Sequence, residues 1–446
     1  MKPMPAAMQM IMIRLIAMQN RLRRKRSEVL LNRVIQISFP DTVLSYYNKN
    51  NILITLLASI CSLGPLATDM YLPALPQMTL DFATTPSIIQ LTLTSWLIGL
   101  AIGQVIAGPL SDIYGRTRPL VFGLIIFTIS SVACIFAPSI ELFIFARFIG
   151  GFAASSALVV SRAIASDIYK GTMLTKFLAT VMIIQGLAPI IAPVLGGQLL
   201  RFFSWISVFV ILTLAGIGIT LLSLLKYKET LPEEKRLKGD IAHIVKVFFS
   251  LCARPYFASL CAIQFFVFCS LFAYISGMPF MLQGIYNFTP QDVSLVFAFV
   301  GIGMMIAGKI TNILTGRIPD SKLLLIGLCQ GLIFGILFLV GIVLDFSIYV
   351  LIILLLLTQT ALPLTASTSF SLAMQTQKKV AGSASALLGF FSTISGGFVA
   401  PIVGIGGGTT ALPTALVIAV AEVLALIIFL TITRKYVKTI ASNTKG

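Results

Sequence analysis

Charge is scarce in this 446-residue sequence. Asp, Glu, Lys and Arg make up 11% of it, against about 25% in soluble globular chains. Acids are the scarcer sign, 15 against 32 basic residues, and His243 is the single histidine. One histidine argues against a His-based metal centre or catalytic constellation, so no metal and no catalytic residues are expected. No G-x-x-x-x-G-K-[ST] phosphate loop is present, which argues against an ATPase. Six cysteines form no C-x-x-C pair. Cys61, Cys134, Cys261, Cys269 and Cys329 lie in apolar runs and Cys252 near the edge of one, so they read as small buried hydrophobes in a reduced setting.

What the chain has instead is apolar length. Hydrophobic residues are 57% of it and the mean hydropathy is +0.99. In water such a chain would expose large apolar patches and aggregate; its solvent must be lipid. A spanning helix needs about 20 apolar residues. Runs of that length fall near 52–76, 88–110, 119–137, 140–162, 174–199 and 204–225, then near 255–283, 291–314, 322–341, 346–370, 381–405 and 413–433. They are continuously apolar rather than alternating, which excludes a β-barrel. The expected fold is all-α and polytopic, with twelve transmembrane helices in two six-helix halves.

The basic residues test that count. With twelve spans, 30 of the 32 Lys and Arg fall on one face; Arg201 alone lies on the other and Arg147 lies inside a span. The positive-inside rule makes the loaded face cytoplasmic, with both termini on it. The net charge of +17 is therefore topological and gives no reason to expect a nucleic-acid partner.

The expected domain limits follow. Residues 1–50 form a basic extension with nine Lys/Arg and two acids. Its apolar stretch is too short to span and lacks a cleavage pattern. A basic tail at an anionic membrane surface, an over-extended translation start and an organellar transit peptide are the alternatives, the first two preferred. The halves are 51–225 and 255–433, separated by a central cytoplasmic loop at 226–254 and followed by a tail at 434–446. A faint repeat supports two halves. Gly115-Arg116 recurs as Gly316-Arg317, and Gly196-Gly197 as Gly396-Gly397, at shifts of 201 and 200 residues.

Intramembrane charges are the strongest functional signal, since each costs about 2.5–3.5 kcal/mol at a helix centre. Asp69 is the acid of the first span and Arg147 lies in the fourth. A carboxyl group in a dry site can bind and release a proton near neutral pH. A guanidinium keeps its proton but can bias a nearby acid. The plainer alternative is a structural ion pair. The segment GPLSDIYGRTRPLVFG between the second and third spans holds Gly108, Asp112, Gly115 and Arg116. APIIAPVLGG in the fifth span holds Pro189, Pro193, Gly196 and Gly197. Its prolines remove backbone donors and its small residues permit close packing, as a bendable gate wall would need.

GPLSDIYGRTRP resembles the signature loop of the major facilitator superfamily, with Ile113 and Thr117 where that family often has basic residues. TDMYLPALP, RFIGGFAAS, RAIASDIY, APIIAPVLGG, YISGMPFMLQGIYNFTPQDVSLVF and GSASALLGF resemble its bicyclomycin-resistance (Bcr/CflA) branch of drug–proton antiporters, Gly150 standing where Gln is frequent. The resemblance implies that Asp69 is the proton-linked acid, Arg147 its partner, and the Asp112/Arg116 loop a conformational latch between the halves. Glu422, a further acid in the twelfth span, receives less weight because that helix is usually peripheral in this architecture.

The expected function is proton-coupled export of small, mostly hydrophobic molecules across a bacterial cytoplasmic membrane, by a monomer with no cofactor beyond the proton gradient. Tyr71, Gln185, Phe266, Tyr274 and Gln359 are candidate cavity residues from position alone. A narrow-specificity metabolite transporter on the same fold is the nearest alternative; a membrane-embedded enzyme or receptor is a distant one. The charge sorting makes a direct forecast. Reporter fusions at Leu237 and Ser442 should be active only with a reporter that works in the cytoplasm. A periplasmic signal at either position would overturn the twelve-span count.

Overall fold

The computed structural model describes residues 52–168, 187, 190–227, 229–236, 248–377 and 381–436. Ten described helices are long and apolar enough to cross a membrane. Ile52–Asp69 (α1) and the shorter apolar helix Ile190–Leu199 (α6) fall in the first and fifth expected spans. Between these lie Leu75–Asp81 (α2), Pro86–Tyr114 (α3), Thr117–Ile135 (α4) and Ile140–Ile168 (α5). Ile206–Lys226 (α7) and Pro255–Phe280 (α8) flank the central loop. Pro290–Leu314 (α9), Asp320–Val343 (α10), Ile348–Gln359 (α11), Ala361–Gln375 (α12), Ala381–Gly404 (α13) and Leu412–Ile428 (α14) complete the second half.

Lipid dictates the local structure. A backbone group left unpaired in hydrocarbon is expensive, so spans are helical and their hydroxyls bond back to the preceding turn. Thr128, Thr213, Thr220 and Thr358 each donate to the carbonyl four residues earlier. Helix starts carry their own caps. Thr85 accepts from the Ile88 N–H ahead of Pro86, and Thr289 with Asp292 forms a full capping box ahead of Pro290. Large apolar side chains such as Phe122, Ile129, Phe145 and Leu225 remain exposed, as a lipid-facing surface requires.

Two spans expected to be single helices are broken. The first ends at Asp69, passes through a 3₁₀ turn at Leu72–Ala74 and resumes as α2. Pro73 and Pro76 lack the N–H groups that would continue it. The tenth is interrupted at Thr360, shortly before Pro363. Of the expected fifth span, only residue 187 and residues 190–199 are described.

Small residues set the helix contacts. A side chain at Gly99 or Gly103 of α3 would run into the backbone of α5 at Phe148 or Phe152, and one at Gly151 into the Trp96 carbonyl. The repeated glycines match in conformation as well as in sequence. Gly115 has φ +86° and Gly316 φ +84°, left-handed values that favour glycine. The repeated glycine pairs both sit where the halves meet. Gly196 and Gly197 face Met70 and Ser294, and Gly396 and Gly397 face Leu97 and Ile98.

Hydrogen bonds join the halves at one end. Ser87 Oγ donates to the Pro401 carbonyl at 3.2 Å and Gln90 Nε2 to the Ser276 carbonyl at 3.1 Å. Gln283 Nε2 donates to the Pro73 carbonyl at 2.9 Å and Gln291 Nε2 to the Gly197 carbonyl at 2.8 Å. By chain order, all four lie toward the face remote from the basic loops.

The close α3–α5 contact can be tested. Gly103→Val forces a branched side chain against the Phe152 carbonyl and Ser155 and should cost about 1–3 kcal/mol. Its thermal unfolding midpoint in detergent should fall by several degrees. Gly218→Ala, where nothing lies within 4 Å of an added Cβ, should be neutral or slightly stabilising.

Candidate functional site: a buried carboxyl between the halves

Asp69 is the last residue of α1 and is 6% exposed. With Leu72 and Pro193 from its own half it lines a cavity of about 50 Å³, closed from the other half by Leu271, Tyr274, Phe297 and Met304, among others. The volume exceeds the roughly 10–15 Å³ that a cavity needs to hold one water. Tyr274 is 3% exposed, and its hydroxyl has no hydrogen-bond partner.

Arg147 lies elsewhere. It is 2% exposed, with its guanidinium carbon 4.3 Å from the Trp96 ring centroid, 4.4 Å from that of Tyr71 and 5.8 Å from that of Phe209. Desolvated cation–π contacts of this kind contribute about 2 kcal/mol. The rings are themselves fixed: Trp96 Nε1 donates to Thr68 Oγ1 at 2.8 Å, and the Tyr71 hydroxyl lies 3.2 Å from Thr92 Oγ1. Arg147 Nε and Nη2 have no hydrogen-bond partner, and no ion pair forms between Arg147 and Asp69 in this conformation. The reason is local. Helix α1 stops at Asp69, so Asp69 borders the cavity while Tyr71, two residues on, turns its ring to the arginine.

The loop after α3 is a charge network within the first half. Arg116, at Gly115's left-handed turn, pairs with Asp112 on α3 and, through Nε at 2.8 Å, with Asp167 at the end of α5. Its Nη1 also donates to Ser111 Oγ at 2.8 Å. Glu229, just past α7, accepts from the backbone N–H of Arg116 at 2.9 Å and of Thr117 at 3.0 Å. It thereby caps α4, where a carboxylate is favoured by the helix dipole. A Cβ added at Gly108 would make only an ordinary contact with Val159 of α5. In this conformation the network ties α3, α4, α5 and the start of the central loop together, rather than one half to the other. Glu229 was not singled out from the sequence, because 112 residues separate it from Thr117.

The gate-helix residues Pro193, Gly196 and Gly197 are buried. A side chain at Gly196 would strike the Met70 carbonyl, and Gly197 accepts from Gln291 of the second half. Pro189 and Gln185 lie outside the described residues. Of the other cavity candidates, Tyr274 borders Asp69's cavity. Tyr71 is buried against Arg147 in the first half, and Gln359 donates to the Ser270 carbonyl within the second. Phe266 packs edge-on to Phe265 beside the core of the second half. Glu422 is 3% exposed, with its carboxyl over Gly331 of α10. It faces inward although it lies on the last span.

The chain as a whole resembles known proteins. The family model described as Major Facilitator Superfamily matches residues 57–401. The chain belongs to the major facilitator superfamily. It is 38% identical to an uncharacterized MFS-type transporter, YdgK, of Bacillus subtilis, over 86% of this chain and 95% of that protein. It is 25% identical to a bicyclomycin resistance protein homolog of Haemophilus influenzae, over 87% and 97%. The multidrug resistance protein MdtL of Salmonella heidelberg is 28% identical over 60% of this chain and 67% of its own length. Among solved structures, an inward-facing, occupied bacterial homolog of the human lysosomal transporter Spinster aligns with a TM-score of 0.69 at 16% identity, covering 86% of this chain and 97% of that one. This major facilitator chain is therefore a multi-pass membrane transporter of small molecules, not an enzyme, with the twelve-helix fold of its family.

The Glu229 cap carries a pH signature. Burial opposes ionisation of this carboxyl, but hydrogen bonds from the N–H groups of Leu231, Arg116 and Thr117 together outweigh it and hold its pKa below the ordinary 4.5. Because the folded value is depressed, the stabilisation is complete above the unfolded value and lost as pH falls through the folded one. Glu229→Gln should speed amide exchange at Arg116 and Thr117 at neutral pH. The difference from the parent protein should fade only as pH falls through the depressed folded value, below the ordinary 4.5, where both side chains become neutral.

Proposed function

We propose that this transporter is a proton-coupled exporter of small, mostly hydrophobic molecules, drugs among them, working by alternating access. Its place is the cytoplasmic membrane of a bacterium, with both termini inside, and it works as a monomer with no cofactor beyond the proton gradient. The observation that carries this reading is the enclosure of Asp69 where the halves close on one another, with no ion pair to Arg147. An ionised carboxylate shut into an apolar cavity is strongly disfavoured. A neutral acid is not, so a proton on Asp69 permits closure of this end, and an ionised Asp69 favours its opening.

The cycle follows from that difference. With the remote end open, Asp69 meets water and takes up a proton from outside. Closure carries the neutral acid inward and gives the state described here, closed away from the basic face. Loss of the proton toward the cytoplasm and binding of substrate there prepare the return. Arg147, held by its rings, offers an unpaired donor edge that suits a carboxylate, and in the opposite state Asp69 is its natural partner. The latch network around Arg116 holds the cytoplasmic ends of the first half as one body while the halves rock. The names of the Haemophilus and Salmonella relatives favour antimicrobial compounds as cargo.

Asp69→Asn tests the proposal. The variant should insert normally and still exchange substrate down its gradient in proteoliposomes, but accumulate none in the lumen when an outward-directed proton gradient, with an acidic lumen, is imposed. Parental uphill transport by the Asn form would end the proposed role of Asp69.

A further inference from the structure

We infer that Tyr274 completes the proton site across the interface between the halves: its phenolic O–H donates to the ionised Asp69 carboxylate, directly or through one water in the cavity they share. The inference rests on the proton-coupling role proposed for Asp69.

Among the described residues, Asp69 and Tyr274 bring the only polar side chains to that cavity; the others that line it, such as Leu72, Pro193, Leu271, Phe297 and Met304, are apolar. The Tyr274 hydroxyl is buried and unpartnered. An orphaned buried donor is destabilising, and a carboxylate is the acceptor that gains most from it. The ring is not free to look elsewhere, because it packs on Phe297 with centroids 5.3 Å apart. At about 50 Å³, the cavity can admit a bridging water, which needs polar partners to stay; the acid and the phenol supply them.

Among the described residues, the charged and titratable groups around Asp69 are few. Helix α8 presents Tyr274. The cavity-lining residues of α6 and α9 present none. Arg147 of α5 is held against the Tyr71 and Trp96 rings. Tyr274 is thus the donor placed to support a carboxylate while the halves are closed. Asp69 belongs to one half and Tyr274 to the other, so the support exists only in the closed state. Closure would otherwise trap the proton; the phenol lets it leave without reopening the remote end.

Tyr274→Phe removes one oxygen and leaves the ring. The pH profile of substrate exchange in proteoliposomes should move to higher pH by about one unit, a tenfold change in proton occupancy. In an Asp69→Asn background the same substitution should produce no further shift. An unmoved profile in Tyr274→Phe, alongside an Asp69→Asn protein unable to concentrate substrate, overturns the inference and leaves the proton reading standing. Uphill transport by Asp69→Asn overturns that reading instead. If Tyr274→Phe does not transport, the infrared carboxyl band assigned to Asp69 by its loss in Asp69→Asn can be titrated in purified protein. Displacement to higher pH supports the proposal, and a titration coincident with the parent's overturns it.

Discussion

Enclosing a carboxyl group between two apolar bodies is the constraint on which the rest of this structure depends. A charge at that position opposes closure more strongly than any single contact described here favours it. The contacts that close the remote end are correspondingly mild. They are neutral hydrogen bonds from Ser87, Gln90, Gln283 and Gln291, each contributing about 0.5–1.5 kcal/mol net. In the proposed mechanism one proton tips such a balance; a clasp of buried ion pairs would be harder to reverse.

Rigidity elsewhere makes that balance usable. Helices α3 and α5 meet through glycine with no room for a Cβ, and Arg116 gathers Asp112, Asp167 and the end of α3 into one charged knot. Arg147 adds a different fixture, a cation held by aromatic faces rather than by an acid. That arrangement leaves its Nε and Nη2 donors open without leaving the charge unsupported. In the proposed mechanism a half built this way moves as a piece, and a change at one carboxyl acts on the whole interface.

Much of this was legible in the sequence. Apolar runs are the direct imprint of a lipid solvent, so helix positions and the two-half pattern could be read from them. Asp69 and Arg147 stood out because charge is costly there, and the left-handed turns at Gly115 and Gly316 were marked by their shared Gly-Arg pattern. What could not be read was direction. Whether Asp69 meets Arg147 or Tyr274 depends on α1 stopping where it does, a consequence of the prolines that follow. Glu229 and the three glutamines were silent for another reason. An exposed loop acid and a neutral amide violate no rule of composition, and their partners lie far away along the chain.

The clasp at the remote end has a consequence for how such a transporter can diversify. All four of its acceptors are main-chain carbonyls, at Pro73, Gly197, Ser276 and Pro401. A peptide oxygen survives any substitution of the side chain attached to it. Substitutions at or beside the other three carbonyls, though not at Gly197, where a Cβ would strike Ser294, can therefore reshape the walls beside the interface and, on the proposed function, alter what is carried, while the closing bonds persist as long as Ser87 and the three glutamine donors remain. Selectivity and gating are written in different parts of the same residues, and the first can evolve without erasing the second.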